Sequence, residues 1–79
     1  MKNWFVNFEN GENVLVYSNQ SEVTAHAVRL YAEKVTGVKV VEVYHIPQEE
    51  LQYYCIDGRV WIDTPQLAAQ LLTIAGIAA

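Results

Sequence analysis

NQSEVTAHAVRLYAEKVTG, residues 19–37, reads as one complete helix, and the dipeptides Asn10-Gly11 and Asp57-Gly58 stand on either side of it between β-type runs. Asn-Gly and Asp-Gly supply the positive φ that tight two-residue hairpins need, so each is read as a hairpin tip. Asn19 or Ser21 can cap the helix, with Glu22 completing a capping box for Asn19. Lys34 and Gly37 mark its end. Two strands, a helix and three strands follow as the order of elements.

Upstream, Trp4–Phe8 and Asn13–Tyr17 are the expected strands, with Phe8 opposite Asn13, Val6 opposite Leu15 and Trp4 opposite Tyr17. Both faces of that hairpin are apolar: Trp4, Val6, Phe8, Leu15 and Tyr17 on one, Phe5, Val14 and Val16 on the other. Val38–Ile46 is a β-branched run ended by Pro47, and Gln48-Glu49-Glu50 is a polar connection or a single helical turn. Leu51–Ile56 and Arg59–Ile62 form the second expected hairpin. Cys55 then pairs with Val60 and Tyr53 with Ile62 on an inward face, while Tyr54 meets Trp61 beside Ile56 and Arg59 on the outward one. Thr64 as cap and Pro65 at the first helical position open a last helix, to about Ala75, broken by Gly76. With no Lys, Arg, Asp or Glu after Asp63, it has no solvated face and must lie on something. The expected fold is therefore α+β in a single domain, residues 1–79. A five-stranded, mainly antiparallel sheet (ββαβββ) has its first strand central, one main helix on one face and a short C-terminal helix.

Seventy-nine residues, 52% of them hydrophobic, can build one core, but small domains bury their apolar content incompletely. The formal charge of −4 argues against tracking nucleic-acid phosphates, and the five basic residues Lys2, Arg29, Lys34, Lys39 and Arg59 are scattered. The single cysteine excludes an intramolecular disulfide and fits a reducing compartment. Met1-Lys2-Asn3-Trp4 enters a strand without the apolar core of a signal peptide, and Leu67–Ala79 is shorter than the roughly 20 residues a bilayer span needs. A cytoplasmic protein without a membrane segment is the expectation.

Little in the chain carries chemistry. His26, His45 and Cys55 come from separate elements and lack the close paired spacing of zinc ligands, so no metal or cofactor is expected. Cys55 lies on an apolar strand face without a basic neighbour to lower its pKa, which suits an inert thiol rather than a nucleophile. Asp57 and Asp63 are explained by a turn and a helix start, and the glycines by turns and caps, so no catalytic site is expected. Glu22, His26, Arg29 and Glu33 form the polar stripe of the helix, and such a stripe is ordinarily just solvated. Tyr54, Trp61 and Arg59 combine residue types that dominate interface hot spots, though two aromatics paired across strands also stabilise a sheet by themselves.

The layout of Trp4–Tyr17 hairpin, Asn19–Gly37 helix and Val38–Ile46 strand, closed by YYCIDGRVWID (residues 53–63), resembles small phage-encoded ββαβββ accessory proteins, including some anti-CRISPR inhibitors. The likeness covers residues 4–63 by pattern, with Tyr54, Asp57, Gly58, Trp61 and Asp63 matching as letters. It implies a non-catalytic protein that binds, and in some cases inhibits, a host protein. Tyr54, Arg59 and Trp61, with the stripe Glu22, His26, Arg29 and Glu33, are the expected contact residues for another protein of host or phage. The alternative is a homo-oligomeric structural module assembled through its apolar C-terminal segment.

Overall fold

The computed structural model describes residues 2–62 and 64–76. Strands β1 (Lys2–Phe8) and β2 (Asn13–Ser18), helix α1 (Ala25–Thr36), strand β3 (Val40–His45), a 3-10 helix (Gln48–Tyr53), strand β4 (Gly58–Ile62) and helix α2 (Pro65–Ala75) follow in that order. The sheet has four strands in the order β3-β1-β2-β4. β1 is central and antiparallel to both neighbours, whereas β4 runs parallel to β2. The α+β class holds; the five-stranded antiparallel sheet does not.

The missing strand is Leu51–Ile56, which forms no hairpin with residues 59–62. Gly58 does not have positive φ, and Asp57 is held instead by Asn13. The segment crosses the second face of the sheet, where Phe5, Leu15, Tyr17 and Ile46 form a core that Tyr44, Leu51, Tyr54 and Ile56 cover. Burying a large apolar side chain contributes about 1.5–3 kcal/mol, and half-burial a proportionate part. A cross-strand pair in a hairpin offers only about 0.2–1 kcal/mol. Covering the apolar face therefore wins. Asn3 fixes the entry to this crossing: its Nδ2 donates to the Ile46 carbonyl at 3.1 Å and to Gln48 Oε1 at 3.2 Å, and its own carbonyl accepts from Ile46 N at 2.9 Å.

The first hairpin turns at Asn10-Gly11 as expected, but with one more loop residue. Phe8 N donates to the Glu12 carbonyl at 2.9 Å and Gly11 N to the Phe8 carbonyl at 3.1 Å, with Gly11 at φ +88°. That is the three-residue loop with a left-handed glycine, not a two-residue type I′ turn. Asn10 keeps negative φ and accepts from Glu12 N through Oδ1 at 3.0 Å. Trp4 consequently faces Val16, and Phe5 faces Leu15. A one-residue slip moves a strand's side chains to the opposite face. Val14 and Val16 thus join Trp4, Val6 and Phe8 under the helices, while Leu15 and Tyr17 join Phe5 on the other side.

α1 begins at Ala25 rather than Asn19. Thr24 is its cap, accepting from Ala27 N at 3.3 Å, and Val23 is fully buried just ahead of it. Ser18 Oγ holds Gln20 N at 3.0 Å in a tight turn, which diverts residues 19–22 from the helix. The C-terminal end is as read, with Gly37 left-handed at φ +70° and donating to the Glu33 carbonyl. β3 starts at Val40, and a bulge leaves Val41 without a partner between Val40, opposite Phe8, and Glu42, opposite Asn7. The bulge turns Val40 toward α1 although Tyr44 faces the other way, which strict alternation could not foretell.

α2 follows its sequence cues closely. Thr64 Oγ1 accepts from Leu67 N at 3.2 Å, Pro65 starts the helix, and Gly76 closes it in the left-handed region. It packs beside α1, burying Ala68 and Leu71 in the core formed by Val6, Val16, Val28 and Ile62. Two helices therefore share one face, and the 3-10 crossing covers the other.

Candidate functional site

The parallel pairing of β4 with β2 sets Arg59 beside Leu15 and Trp61 beside Tyr17, all on the face that carries the 3-10 crossing. Trp61 stacks on the Tyr17 ring with centroids 4.1 Å apart and planes 14° from parallel. The Arg59 guanidinium lies 5.7 Å from the same ring, and its Nη1 donates to the Tyr17 hydroxyl. Tyr17 is buried, while Trp61 keeps 55% of its surface exposed. An aromatic pair of this kind contributes about 0.5–1.5 kcal/mol and an exposed cation–π contact about 0.5–1 kcal/mol. Both side chains are thus held in place by contacts within the chain.

Tyr54 is on the same face but toward its opposite end. Its ring lies 5.2 Å from Phe5 and 6.4 Å from Tyr44. The direct Tyr54–Trp61 cross-strand pair is therefore absent, because residue 54 belongs to the crossing and not to a strand. Tyr17 replaces Tyr54 as the partner of Trp61. Sequence reasoning missed it because a two-residue turn places Tyr17 on the helix face. Burial pushes the Tyr44 phenol above its ordinary value, and Tyr54 beside it acts in the same direction through its charge and hydrogen bond.

The expected inward face of residues 51–62 is largely reversed. Cys55 and Tyr53 are exposed, Val60 is at the surface, and only Ile62 of the four is buried. The crossing turns Leu51, Tyr54 and Ile56 inward instead. The Cys55 carbonyl accepts from Asn13 Nδ2 at 2.9 Å, so the peptide is anchored while the thiol looks outward.

The helix stripe is divided. Glu33 Oε2 accepts from Val40 N at 3.0 Å and Arg29 Nη1 donates toward the Val40 carbonyl at 3.5 Å, so both are turned onto the start of β3. Glu22 lies ahead of the Thr24 cap, so it makes no i, i+4 helical pair with His26, and both are exposed. Among the described residues no group of three or more His, Cys, Asp or Glu could hold a metal ion. No described helix is long and apolar enough to cross a membrane. Asp63 lies outside the described residues, as do residues 77–79 of the apolar C-terminal segment.

No protein-family model, curated protein or solved structure matches this chain significantly.

Proposed function

We propose that this chain is a non-catalytic protein-binding module, of the accessory-inhibitor kind its sequence resembles, and that it meets its partner through Trp61 and Arg59 around the Tyr17 ring, with Tyr54 outside the contact. One observation carries the proposal: a half-exposed tryptophan held flat on a buried tyrosine, with an arginine bonded to that tyrosine's hydroxyl. Trp, Tyr and Arg dominate binding hot spots, and a side chain already fixed in its bound position loses less entropy on association. The 3-10 crossing shields most of the second sheet face, so the surface offered is local to the β4 end and not the whole sheet. Glu22 and His26 lie outside it.

The test is capture from bacterial lysate on the immobilised chain, run in parallel with Arg59→Glu and Trp61→Ala. A protein retained by the parent and lost by both variants, with their circular dichroism unchanged, is the expected result. Equal retention by all three would place the contact elsewhere.

A further inference from the structure

The two faces of the sheet are covered in different ways. On the helix face α1 and α2 bury side chains of their own, Ala27, Val28 and Ala32 from one and Ala68 and Leu71 from the other. The crossing on the second face buries none. Its Leu51, Tyr54 and Ile56 are only half-buried over Phe5, Leu15, Tyr17 and Ile46. Among the described residues no main-chain hydrogen bond joins residues 47–56 to the sheet. Glu50 N and Tyr54 N donate within the crossing, to the carbonyls of Pro47 and Leu51. The polar ties sit at the two ends. Asn3 of β1 holds the Ile46 carbonyl and Gln48 at one, and Asn13 of β2 holds the Cys55 carbonyl and Asp57 at the other.

Asn3 is fully enclosed, yet its Oδ1 meets no donor among the described residues. Closing the crossing therefore takes an amide oxygen out of water without replacing its hydrogen bond, and opening returns it to water. A segment with few buried apolar contacts and solvent-facing hydrogen bonds belongs to the low-stability end of a fold. We propose that residues 47–56 form a strap that opens as a unit between β3 and β4 while the sheet and both helices stay folded. Lifting it releases the Gln48 tie and uncovers Phe5, Leu15, Tyr17 and Ile46 as one continuous apolar floor. Tyr17 is also the ring on which Trp61 rests, so the strap sets how far the apolar surface beside that ring extends. The opening is a property of the free chain and is measured without a partner, so it does not rest on the binding reading.

The experiment is thiol labelling of the full chain under native conditions in a Cys55→Ser background. Leu15→Cys places a thiol beneath the strap and Val6→Cys one beneath the helices; both positions are fully buried and lie on neighbouring strands. Each labelling rate is compared with the limit set by that variant's own global unfolding in urea. Leu15→Cys is expected to exceed its limit by about tenfold or more, through the strap alone, and Val6→Cys to match its limit. Adding Leu51→Ala should raise the first rate several-fold further and leave the second at its limit. Labelling of Leu15→Cys only at the global limit would overturn the proposal. Equal excess at both positions would also overturn it, since that reports loosening of the whole sheet. In the unsubstituted chain, chymotrypsin should cut after Tyr53 or Tyr54 at a rate unaffected by urea below the unfolding transition. Cutting that tracks global unfolding would contradict the strap even if the cysteine variants fail to fold.

Discussion

Asn13 and Asp57 hold each other reciprocally: Asn13 N donates to Asp57 Oδ2 at 3.1 Å, and Asp57 N donates to Asn13 Oδ1 at 2.8 Å. The pair ties the first residue of β2 to the residue before β4, and Val14 meets Gly58 immediately beyond it. It sets the parallel register that brings Trp61 onto Tyr17. Alanine at either position is expected to cost about 0.5–1.5 kcal/mol in urea unfolding. Each substitution removes only one of the two bonds, since each joins a backbone N–H to the other residue's side chain. Losing one loosens the geometry of the other, so the double variant should lose less than the sum. Strict additivity would show that the two groups act independently.

Gly11 and Gly58 should respond differently to alanine. Gly11 stands at φ +88°, where an added Cβ is strained, so Gly11→Ala is expected to lower stability by about 1 kcal/mol or more. A Cβ at Gly58 would meet only Val14 Cγ2, at an ordinary 3.6 Å. Gly58→Ala should therefore stay within about 0.5 kcal/mol of the parent. Equal Tm losses for both would restore Asp57-Gly58 as a strained turn.

The Cys55 thiol is exposed on a segment that half-buries its neighbours Tyr54 and Ile56. A thiol reagent should therefore modify the native protein without prior unfolding, and Cys55→Ser should keep the parent Tm. Protection of the thiol until the chain is denatured would contradict the outward crossing.

Tyr44 makes alkaline stability a readout of the second core. Its phenol is raised above 10.0, first by burial and then by Tyr54, so folding favours the neutral form. That contribution is complete below pH 10, the unfolded value, and is lost as pH rises through the higher folded value. Tyr44→Phe should therefore lose less stability than the parent on moving above pH 10, as followed by urea midpoints. Parallel losses in the two proteins would show that this phenol is not linked to folding.

Much of the fold is written locally. Gly37 as a stop, Thr64-Pro65 as a start and Gly76 as a cap all follow from residues adjacent in the chain. The errors arise where a distant residue decides. Asn13 holds Asp57 from across the sheet, so an Asp-Gly that resembles a turn becomes the approach to a parallel strand. The bulge at Val41 and the extra residue in the Asn10-Gly11 loop each shift alternation by one. Neither leaves a sign in the spacing of apolar residues. Arg59 and Trp61 were legible as candidate contacts because of their residue types. Tyr17, which organises them, was not, since its face depends on the hairpin register.

The most direct measurement is the affinity of the captured partner for the parent and for Arg59→Glu, by titration calorimetry. Removing the cation that bridges to Tyr17 and placing an acid beside Trp61 should weaken binding at least tenfold, about 1.4 kcal/mol or more. The fold should remain intact, because Arg59 is exposed. An unchanged Kd for the folded variant would contradict partner binding through the Tyr17–Trp61–Arg59 surface.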